Sequence, residues 1–466
     1  MASTDSPPQT NHYLQHLTDV NETQAVTASE DIFNQFGVLL IAKGSRINSR
    51  AQSQLQQHRL EKTLDQQVAL ETTLSDQQIF QQTLLMLESS VELAQLQQHN
   101  KFDDPFRHIC LSGNLPLQIR QKLTVMSQQL PDLFQHSLFN GWASAMIAKE
   151  MKLKPAACRE AYICGLVHDI GLLHLPTEVQ TQTPLSAENW RALKSHVVIG
   201  QRFAEECGLP PAIGRGILEH HERFDQTGYP ARKAPEKLGL LGQIVASADL
   251  IHSLCTNELS HSEGSIYEAL PYFKIHHGSF NERIHTALMR ILSLAALDRA
   301  ESDTPQKPVN LERVRQINSQ LQRLTAPLEK FTVLLAQLKH PEGPSVITTM
   351  RSISNLLGNS GIGDSNLNDW LMSDLDPGEH DNAASLREID TMQYEMLWLV
   401  KRLGWNMKDF LESPASNEGH SLISQIDVFY NKLHDAVVES FKLYSNTPEP
   451  TADTIAVPLQ SETTDA

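Results

Sequence analysis

The chain has 466 residues and a mass of 52.2 kDa. This length exceeds what a single hydrophobic core usually accommodates, so we predict two or three domains. Its 38 Lys and Arg against 55 Asp and Glu give a formal charge of −17, which disfavours binding to nucleic acid polymers or anionic lipid, and the sequence shows no local basic patch. No run reaches the ~18 apolar residues of a membrane helix, and the N-terminus lacks the basic start and apolar run of a secretory signal, so we expect a cytoplasmic protein.

The first part of the chain shows no catalytic combination of residues. Residues 1–25 are polar and lack apolar periodicity, which predicts disorder. Residues 26–105 are interpreted as a small mixed α/β module, in which a short apolar run between Gly37 and Gly44 predicts a pair of strands that turns at the first glycine and ends at the second. Two helices complete this module, at about 49–60 and 75–98.

Residues 115–300 predict an all-helical central domain. Apolar residues recur there at three- and four-residue intervals, and prolines and glycines separate the periodic stretches. The predicted helices run from Pro131 to Lys152, from Pro155 into His168, from Pro184 and Glu188 through His196, from Pro211 through His220 and His221, and from Leu238 through Asp249.

The composition changes after about residue 305, where histidines and paired carboxylates become sparse. Residues 305–445 predict a C-terminal helical domain, and 446–466, with three prolines among Thr, Ser and acidic residues, predict a disordered tail. The predicted C-terminal helices are 308–340, 345–358, 383–413 and 418–445. The fold class expected for the whole chain is therefore mainly α.

Metal-binding residue types are concentrated between His168 and Pro230. The stretch contains His168-Asp169-Ile170-Gly171, Lys194-Ser195-His196, His220-His221-Glu222 and Gly228-Tyr229-Pro230. Imidazole and carboxylate together suit iron, manganese and zinc, and an adjacent His-Asp pair lets one carboxylate bridge two ions. A lone helical histidine is more often a surface or hydrogen-bonded residue than a ligand, so the interpretation rests on the combination.

This pattern resembles the HD-GYP family over about residues 115–295. The resemblance implies a phosphodiesterase for the bacterial second messenger cyclic di-GMP that uses two divalent metal ions, iron or manganese, with zinc as an alternative. It implies that Asp169 is the central catalytic residue and bridges the two ions. The implied ligands are His136, His168, Asp169 and Asp249 for one ion, and Asp169, His196, His220 and His221 for the other.

Two further features have a functional and a structural interpretation. Asp132, one turn before His136, stands where some family members have a Glu that reaches a third metal, but a favourable charge at the helix N-terminus explains it equally well. Gly228-Tyr229-Pro230 resembles the family loop that contacts GGDEF-type diguanylate cyclases, with a rigid turn that uses the free backbone angles of glycine as the alternative. A homodimer is a further expectation.

Two departures from the family pattern concern the cationic side chains that bind the substrate phosphates. The family has a Lys directly after His-Asp-Ile-Gly, where this chain has Leu172, and it has an Arg-Pro-Tyr-Arg stretch beyond the last ligand, where this chain has no Lys or Arg from Leu238 to Phe273. Hydrolysis of cyclic di-GMP to the linear dinucleotide pGpG or to GMP, at a low rate, is favoured. A metal-binding signalling scaffold that senses a nucleotide or docks partners, and an HD phosphohydrolase of another nucleotide, stay open.

Overall fold

The structure is a computed structural model that describes most of the chain. The described residues are 12–177, 179, 187–224, 226, 228–256, 266, 269–276, 280–301, 309–337, 343–362, 364–373, 375, 380–412 and 420–444. The chain divides into two compact units, Met1–His252 and Ser253–Ala466. Within the described ranges, no helix has the length and apolar character needed to cross a membrane.

The first unit is mainly helical and contains two short antiparallel strand pairs. Its strands are β1 (Val26–Ala28), β2 (Ile32–Phe33), β3 (Leu39–Ile41) and β4 (Val68–Leu70). Its helices are α1 (His12–Val20), α2 (Ser49–Gln56), α3 (Leu64–Gln67), α4 (Asp76–Glu88), α5 (Val91–His99), α6 (Asp103–Leu111), α7 (Leu117–Gln129), α8 (Pro131–Glu150), α9 (Pro155–Val167), α10 (Ala187–Lys194), α11 (His196–Glu206), α12 (Pro211–Glu219) and α13 (Leu240–Cys255), with 3₁₀ helices at Ile170–His174 and Pro235–Lys237.

The strand pair predicted around Gly37 and Gly44 is present. β2 pairs with β3, and the two glycines have φ of 75° and 81°, the left-handed region that glycine adopts without steric cost. β1 pairs with β4 across about 40 residues of chain, a pairing that two three-residue strands do not reveal in sequence. The helix predicted over 75–98 is two helices, α4 and α5, because α4 ends at Glu88 and Ser90 caps α5.

The prediction of disorder for residues 1–25 is wrong for the described part of that segment. α1 forms a helix whose apolar side is buried. The buried apolar residues are Tyr13, Leu14, Leu17 and Val20. Their spacing is helical, but it is short and lies among polar residues, so the composition of the segment masked it. Residues 1–11 lie outside the described residues.

α8 and α9 form the helix pair that brings the first candidate ligands together. Both start at a proline, where the missing N–H costs no helical hydrogen bond, and both bounds agree with the sequence prediction. The helices approach so closely that a Cβ on Gly165 would lie 2.3 Å from the carbonyl oxygen of Asn140. Only glycine allows this crossing, which sets the end of α9 against the middle of α8.

The helix predicted to carry His196 is broken in two. α10 ends at Lys194, and His196 is the first residue of α11. The Ser195 hydroxyl donates to the carbonyl oxygen of Ala192 at 2.6 Å and occupies a backbone acceptor at the break. Pro184, predicted to open this helix, lies outside the described residues. His220 and His221 follow the end of α12, so most candidate ligands sit at helix ends, not along helix faces.

The second unit is a bundle of long helices around an apolar core. Its helices are α14 (Ala269–Ile275), α15 (Glu282–Glu301), α16 (Leu311–Leu335), α17 (Gly343–Ser360), α18 (Ser365–Met372), α19 (His380–Glu412) and α20 (His420–Lys442). The four predicted C-terminal helices correspond to α16, α17, α19 and α20, whereas α18 was not predicted. The predicted tail, 446–466, lies outside the described residues.

The division between the two units falls within α13, at His252 and Ser253. The segment 115–300, predicted as one domain, therefore contributes residues to both units. The predicted domain boundaries, 26–105, 115–300 and 305–445, stay predictions. All seven candidate metal ligands belong to the first unit.

Candidate metal centre

The seven side chains predicted as metal ligands come together in the first unit. They form two groups, and within each group the candidate ligand atoms lie within 4.8 Å of one another. The groups are His136, His168 and Asp249, and Asp169, His196, His220 and His221. Residues from α8, α9, α11, α12 and α13 thus meet at one place, although they span more than 110 residues of sequence.

Asp169 lies between the two groups and directs one carboxylate oxygen to each. Its Oδ2 is 3.2 Å from His168 Nε2 and 3.5 Å from His136 Nε2. Its Oδ1 is 3.2 Å from His196 Nε2 and 3.5 Å from His220 Nε2. Two ligand atoms that each lie ~2.1 Å from the same ion are ~3.0–3.4 Å apart when the ligand–metal–ligand angle is between a right angle and the tetrahedral angle. The spacing therefore suits two ions that share this carboxylate.

Three of the histidines are oriented by the backbone at the end of the helix that precedes them. The Nδ1 atoms of His168, His196 and His220 lie 2.8, 2.6 and 2.7 Å from the carbonyl oxygens three residues earlier, at Gly165, Leu193 and Ile217. A carbonyl oxygen only accepts, so each Nδ1 carries a proton, and in the neutral ring Nε2 is the atom with the lone pair. These histidines stand at helix ends, where the last carbonyl groups lack helical partners. Each Nε2 is therefore directed into the cluster as a ready ligand atom.

His136 is oriented differently, by side chains, one of them Asn140 of the same helix, whose Nδ2 lies 3.2 Å from His136 Nε2. Its Nε2 is 3.2 Å from Asp249 Oδ1 and 3.2 Å from His168 Nε2. Its Nδ1 is 3.1 Å from Nδ1 of His252, a residue that matches no ligand position of the family pattern and lies in neither group. The sequence offered no signal for this contact, because it depends on how α8 crosses α13.

The charges of the cluster shift the pKa values of its members in opposite directions. Burial alone would lower the pKa of His136, but hydrogen bonds and charges from Asp169 and Asp249 outweigh it and raise the pKa to about 10. Burial alone would raise the pKa of each carboxyl, but the surrounding imidazoles hold both well below their usual range. Burial lowers the pKa of His220 and His221, so both rings are neutral and suited to bind a cation.

Two buried polar atoms of the cluster lack a hydrogen-bond partner among the described residues, Asp169 Oδ1 and His221 Nδ1. Asp169 Oδ1 faces His196 Nε2, whose lone pair is free because Nδ1 carries the proton. Two acceptors that face each other in a buried site are unfavourable unless a cation satisfies both. Five imidazoles and two carboxylates are also a donor set that divalent iron, manganese or zinc accepts. The residues present therefore fit a two-metal centre.

The Gly228-Tyr229-Pro230 turn lies directly against the cluster. The Tyr229 ring stacks on His221 at 4.7 Å between centroids and contacts Trp190 at 5.8 Å. A Cβ on Gly228 would lie 2.3 Å from the carbonyl oxygen of His221. Gly228 is not among the glycines with positive φ, so close approach, and not the unusual backbone angle expected from the sequence, requires glycine here.

Glu222 holds this loop and was missed by the sequence analysis. The side chain is buried, and its carboxylate accepts the backbone N–H of Ala231 at 2.7 Å and of Lys233 at 2.9 Å. These bonds hold the backbone at Ala231 and Lys233 close to the residues that follow α12. The position next to His220-His221 was the available signal, but a carboxylate there is equally compatible with metal binding.

Two other predicted site features remain apart from the metal cluster. Asp132 is exposed at the start of α8 and belongs to neither ligand group of the described residues, so its role toward a third metal stays a prediction. Leu172, which replaces the family lysine, lies in the 3₁₀ helix after Asp169 and is only 8% exposed. The structure thus has an apolar, buried side chain at the position where the family pattern has a cation.

Comparison with known proteins is consistent with this geometry. Residues 120–281 match the HD domain family. The chain is 28% identical over 175 residues to a cyclic di-GMP phosphodiesterase of Pseudomonas aeruginosa, covering 36% of this chain and 42% of the relative. It is 33% identical over 118 residues to a cyclic di-GMP phosphodiesterase of Thermotoga maritima, covering 25% and 32%. It is 31% identical over 122 residues to a 3′3′-cGAMP-specific phosphodiesterase of Vibrio cholerae, covering 26% and 28%. The chain therefore spans less than half the length of each relative.

Proposed function

We propose that the protein is a metal-dependent phosphodiesterase of cyclic dinucleotides, because residues 120–281 match the HD domain family and the chain carries His-Asp and Gly-Tyr-Pro motifs that resemble those of HD-GYP proteins. The observation that carries the proposal is the position of Asp169. Its two oxygens face two separate groups of ligand-type side chains at 3.2–3.5 Å, as a carboxylate shared by two ions requires. A single metal site or a buried ion-pair network has no need for this arrangement.

The proposed ligands for one ion are His136, His168, Asp169 and Asp249. The proposed ligands for the second ion are Asp169, His196, His220 and His221. When bound, two divalent ions lower the pKa of a shared water and offset the negative charge that develops on the reacting phosphoryl group. Iron or manganese suits the mixture of imidazole and carboxylate, and zinc remains an alternative.

The chain's own residues prepare the site for this chemistry. The backbone carbonyls that hold His168, His196 and His220 remove most of the reorganisation that binding would otherwise demand. The low pKa of Asp169 and Asp249 keeps both carboxylates charged at neutral pH. Burial of the cluster strengthens each of these electrostatic interactions relative to water.

We take cyclic di-GMP as the substrate, with pGpG or GMP as the product. Support comes from the motifs and from the names of two of the relatives above, which are cyclic di-GMP phosphodiesterases. Leu172 lowers the expected affinity for the substrate phosphate, because a cation hydrogen-bonded to an ionised oxygen contributes about 1.5–3 kcal/mol in a sheltered site. The proposal therefore includes low turnover and weak substrate affinity.

A second candidate follows from the same replacement. With Leu172 in place of the lysine and no Lys or Arg from Leu238 to Phe273, the protein would bind metals yet act as a signalling scaffold that senses a nucleotide or docks partners. A phosphohydrolase of another nucleotide is compatible too, since one relative is specific for 3′3′-cGAMP. Docking of GGDEF-type cyclases at Gly228-Tyr229-Pro230, where only Pro230 is exposed, homodimer formation and a cytoplasmic location belong to the same proposal.

Turnover by reconstituted protein tests the proposal. The full chain is loaded anaerobically with ferrous iron, or with manganese, and incubated separately with cyclic di-GMP and 3′3′-cGAMP. We expect slow, metal-dependent formation of the linear dinucleotide from cyclic di-GMP, and none with Asp169→Asn, which keeps the shape of the side chain but removes its charge. Turnover of 3′3′-cGAMP alone would transfer the activity to another nucleotide. Metal-loaded protein that hydrolyses neither would favour the scaffold.

A further inference from the structure

His252 lies one turn after Asp249 on α13 and meets His136 edge to face. The two Nδ1 atoms are 3.1 Å apart, and the ring centroids are 4.4 Å apart at an angle of 86°. The other side of the His252 ring contacts Phe139 at 5.0 Å between centroids. His252 is thus held between two residues of α8 and belongs to neither ligand group.

The contact between the two Nδ1 atoms needs one proton, so one ring donates and the other accepts. His136 Nε2 faces Asp249, Asp169 and His168 at 3.2–3.5 Å, and it serves as a metal ligand only with a free lone pair. A neutral His136 with a free Nε2 carries its proton on Nδ1. His136 therefore donates, and His252 Nδ1 accepts with its own proton on Nε2.

This arrangement distinguishes His136 from the three histidines that donate to the backbone carbonyl oxygen three residues earlier. His136 lies within α8, where the backbone carbonyls are already bonded in the helix. Asn140, one turn later, donates to the backbone oxygen of His136 at 3.1 Å, and its Nδ2 also lies 3.2 Å from Nε2 and 3.5 Å from Nδ1 of the ring. An amide nitrogen only donates, so the Nδ1 proton of His136 is accepted by the side chain of His252 on α13, the helix that also supplies Asp249.

We infer that His252 is a positioning residue for one half of the metal centre: it accepts the Nδ1 proton of His136 and holds Nε2 of that ring toward Asp249 and His168. The inference rests on the proposed two-metal function. Because the Nδ1 atoms of His196 and His220 donate to backbone carbonyl oxygens, the expected effect falls on the ion held by His136, His168 and Asp249. Partners of this kind typically change metal affinity by about ten- to a hundredfold.

Two substitutions in the full chain separate hydrogen bonding from packing. His252→Leu keeps most of the volume against Phe139 but has no acceptor. His252→Asn loses volume but places an amide oxygen near the position of Nδ1. His58→Ala, at an exposed histidine in the first unit, is the control. Each protein is titrated with cobalt(II), visible absorption reports the coordination and affinity of each site, and circular dichroism reports folding.

We expect wild type, the control and His252→Asn to bind two cobalt ions with similar affinity. His252→Leu should bind the second-group ion normally and the first about ten- to a hundredfold more weakly. The inference would be overturned if His252→Leu bound both ions with wild-type affinity, or if it weakened both sites equally. It would also be overturned if His252→Leu kept the first-group ion and His252→Asn lost it. None of these results would contradict the metal centre itself. Wild type that binds no cobalt would overturn the proposed function as well.

The tautomers give a second measurement that does not depend on a folded variant. In wild-type protein loaded with zinc and labelled with ¹⁵N at histidine, the inference requires a proton on Nδ1 of His136 and on Nε2 of His252. Assignment of the two rings by nitrogen NMR reads this directly. A proton on Nδ1 of His252, or an unprotonated Nδ1 on His136, contradicts the inference.

Discussion

The metal cluster and the C-terminal bundle are both built from helices, yet they use buried residues in opposite ways. Around Asp169 the chain buries histidines and carboxylates and leaves two of their polar atoms without a hydrogen bond among the described residues. The second unit buries an apolar cluster drawn from α14, α16, α17, α18, α19 and α20. Its described residues contain no group of metal-ligand type. The first region therefore buries polar groups at a cost in stability, whereas the second buries apolar side chains that stabilise the fold.

Loss of the Asp169 carboxylate, which faces both ligand groups, should have the largest effect on metal binding. Asp169→Ala removes a side chain that faces both ligand groups, so we expect loss of both ions and of measurable turnover. Elemental analysis after reconstitution measures the ions, and circular dichroism checks the fold. Asp169→Asn is the matched control, because it keeps one oxygen and should retain a single ion. An alanine variant with two ions would contradict the shared position.

Metal affinity should depend on pH through His136. Its pKa is raised to about 10, so at neutral pH the metal-free ring is charged and a metal ion must displace a proton. Affinity for that ion should rise about tenfold per pH unit between pH 7 and 9, since one proton is released. His220 and His221 have lowered pKa values and add no proton in this range. Isothermal titration at several pH values measures the slope, which a flat profile would contradict.

The same pKa shift has a consequence for the metal-free protein. The charged His136 contributes stability that is fully present below its unfolded-state pKa, near 6.5, and is lost as the pH rises through about 10. The lowered pKa values of Asp169 and Asp249 add stability that is lost only as the pH falls below the usual carboxyl range. The metal-free first unit should therefore weaken toward alkaline pH, which chemical denaturation can follow.

A cation at position 172 should strengthen the substrate half of the site. Leu172→Lys should raise kcat/KM on cyclic di-GMP about tenfold or more, since a charged hydrogen bond contributes about 1.5–3 kcal/mol and 1.4 kcal/mol is a factor of ten. Leu172→Met is the control, with similar volume and no charge. Steady-state kinetics at constant metal loading gives the comparison. Wild type with a low micromolar KM, or a lysine variant no faster than the methionine variant, would contradict this account.

A cavity in the second region should leave the metal centre unchanged. Leu433 is fully buried in the bundle, so Leu433→Ala should lower the free energy of unfolding by about 2–5 kcal/mol. Metal content should stay at the wild-type value, because both groups of candidate ligands found among the described residues lie in the first unit. Thermal unfolding and elemental analysis of one preparation measure both quantities. Loss of metal in a folded Leu433→Ala protein would show that the two regions are not independent.

The sequence predicted what depends on order and local pattern. The seven ligand-type residues follow from the resemblance to the HD-GYP pattern, and the starts of α8 and α9 and the four long C-terminal helices follow from prolines and apolar periodicity. It did not predict α1, whose few apolar residues lie among polar ones, or the break between α10 and α11, which no glycine or proline marks. The contact between His136 and His252 depends on a helix crossing, and crossing geometry is set by packing over the whole unit.

The metal content of the wild-type protein tests the central claim most directly. The full chain is purified, stripped with chelator, reconstituted separately with iron, manganese and zinc, and freed of unbound metal before elemental analysis. The position of Asp169 between two ligand groups predicts close to two ions per chain with at least one of these metals. A folded protein that holds no ion after reconstitution with all three would contradict the account.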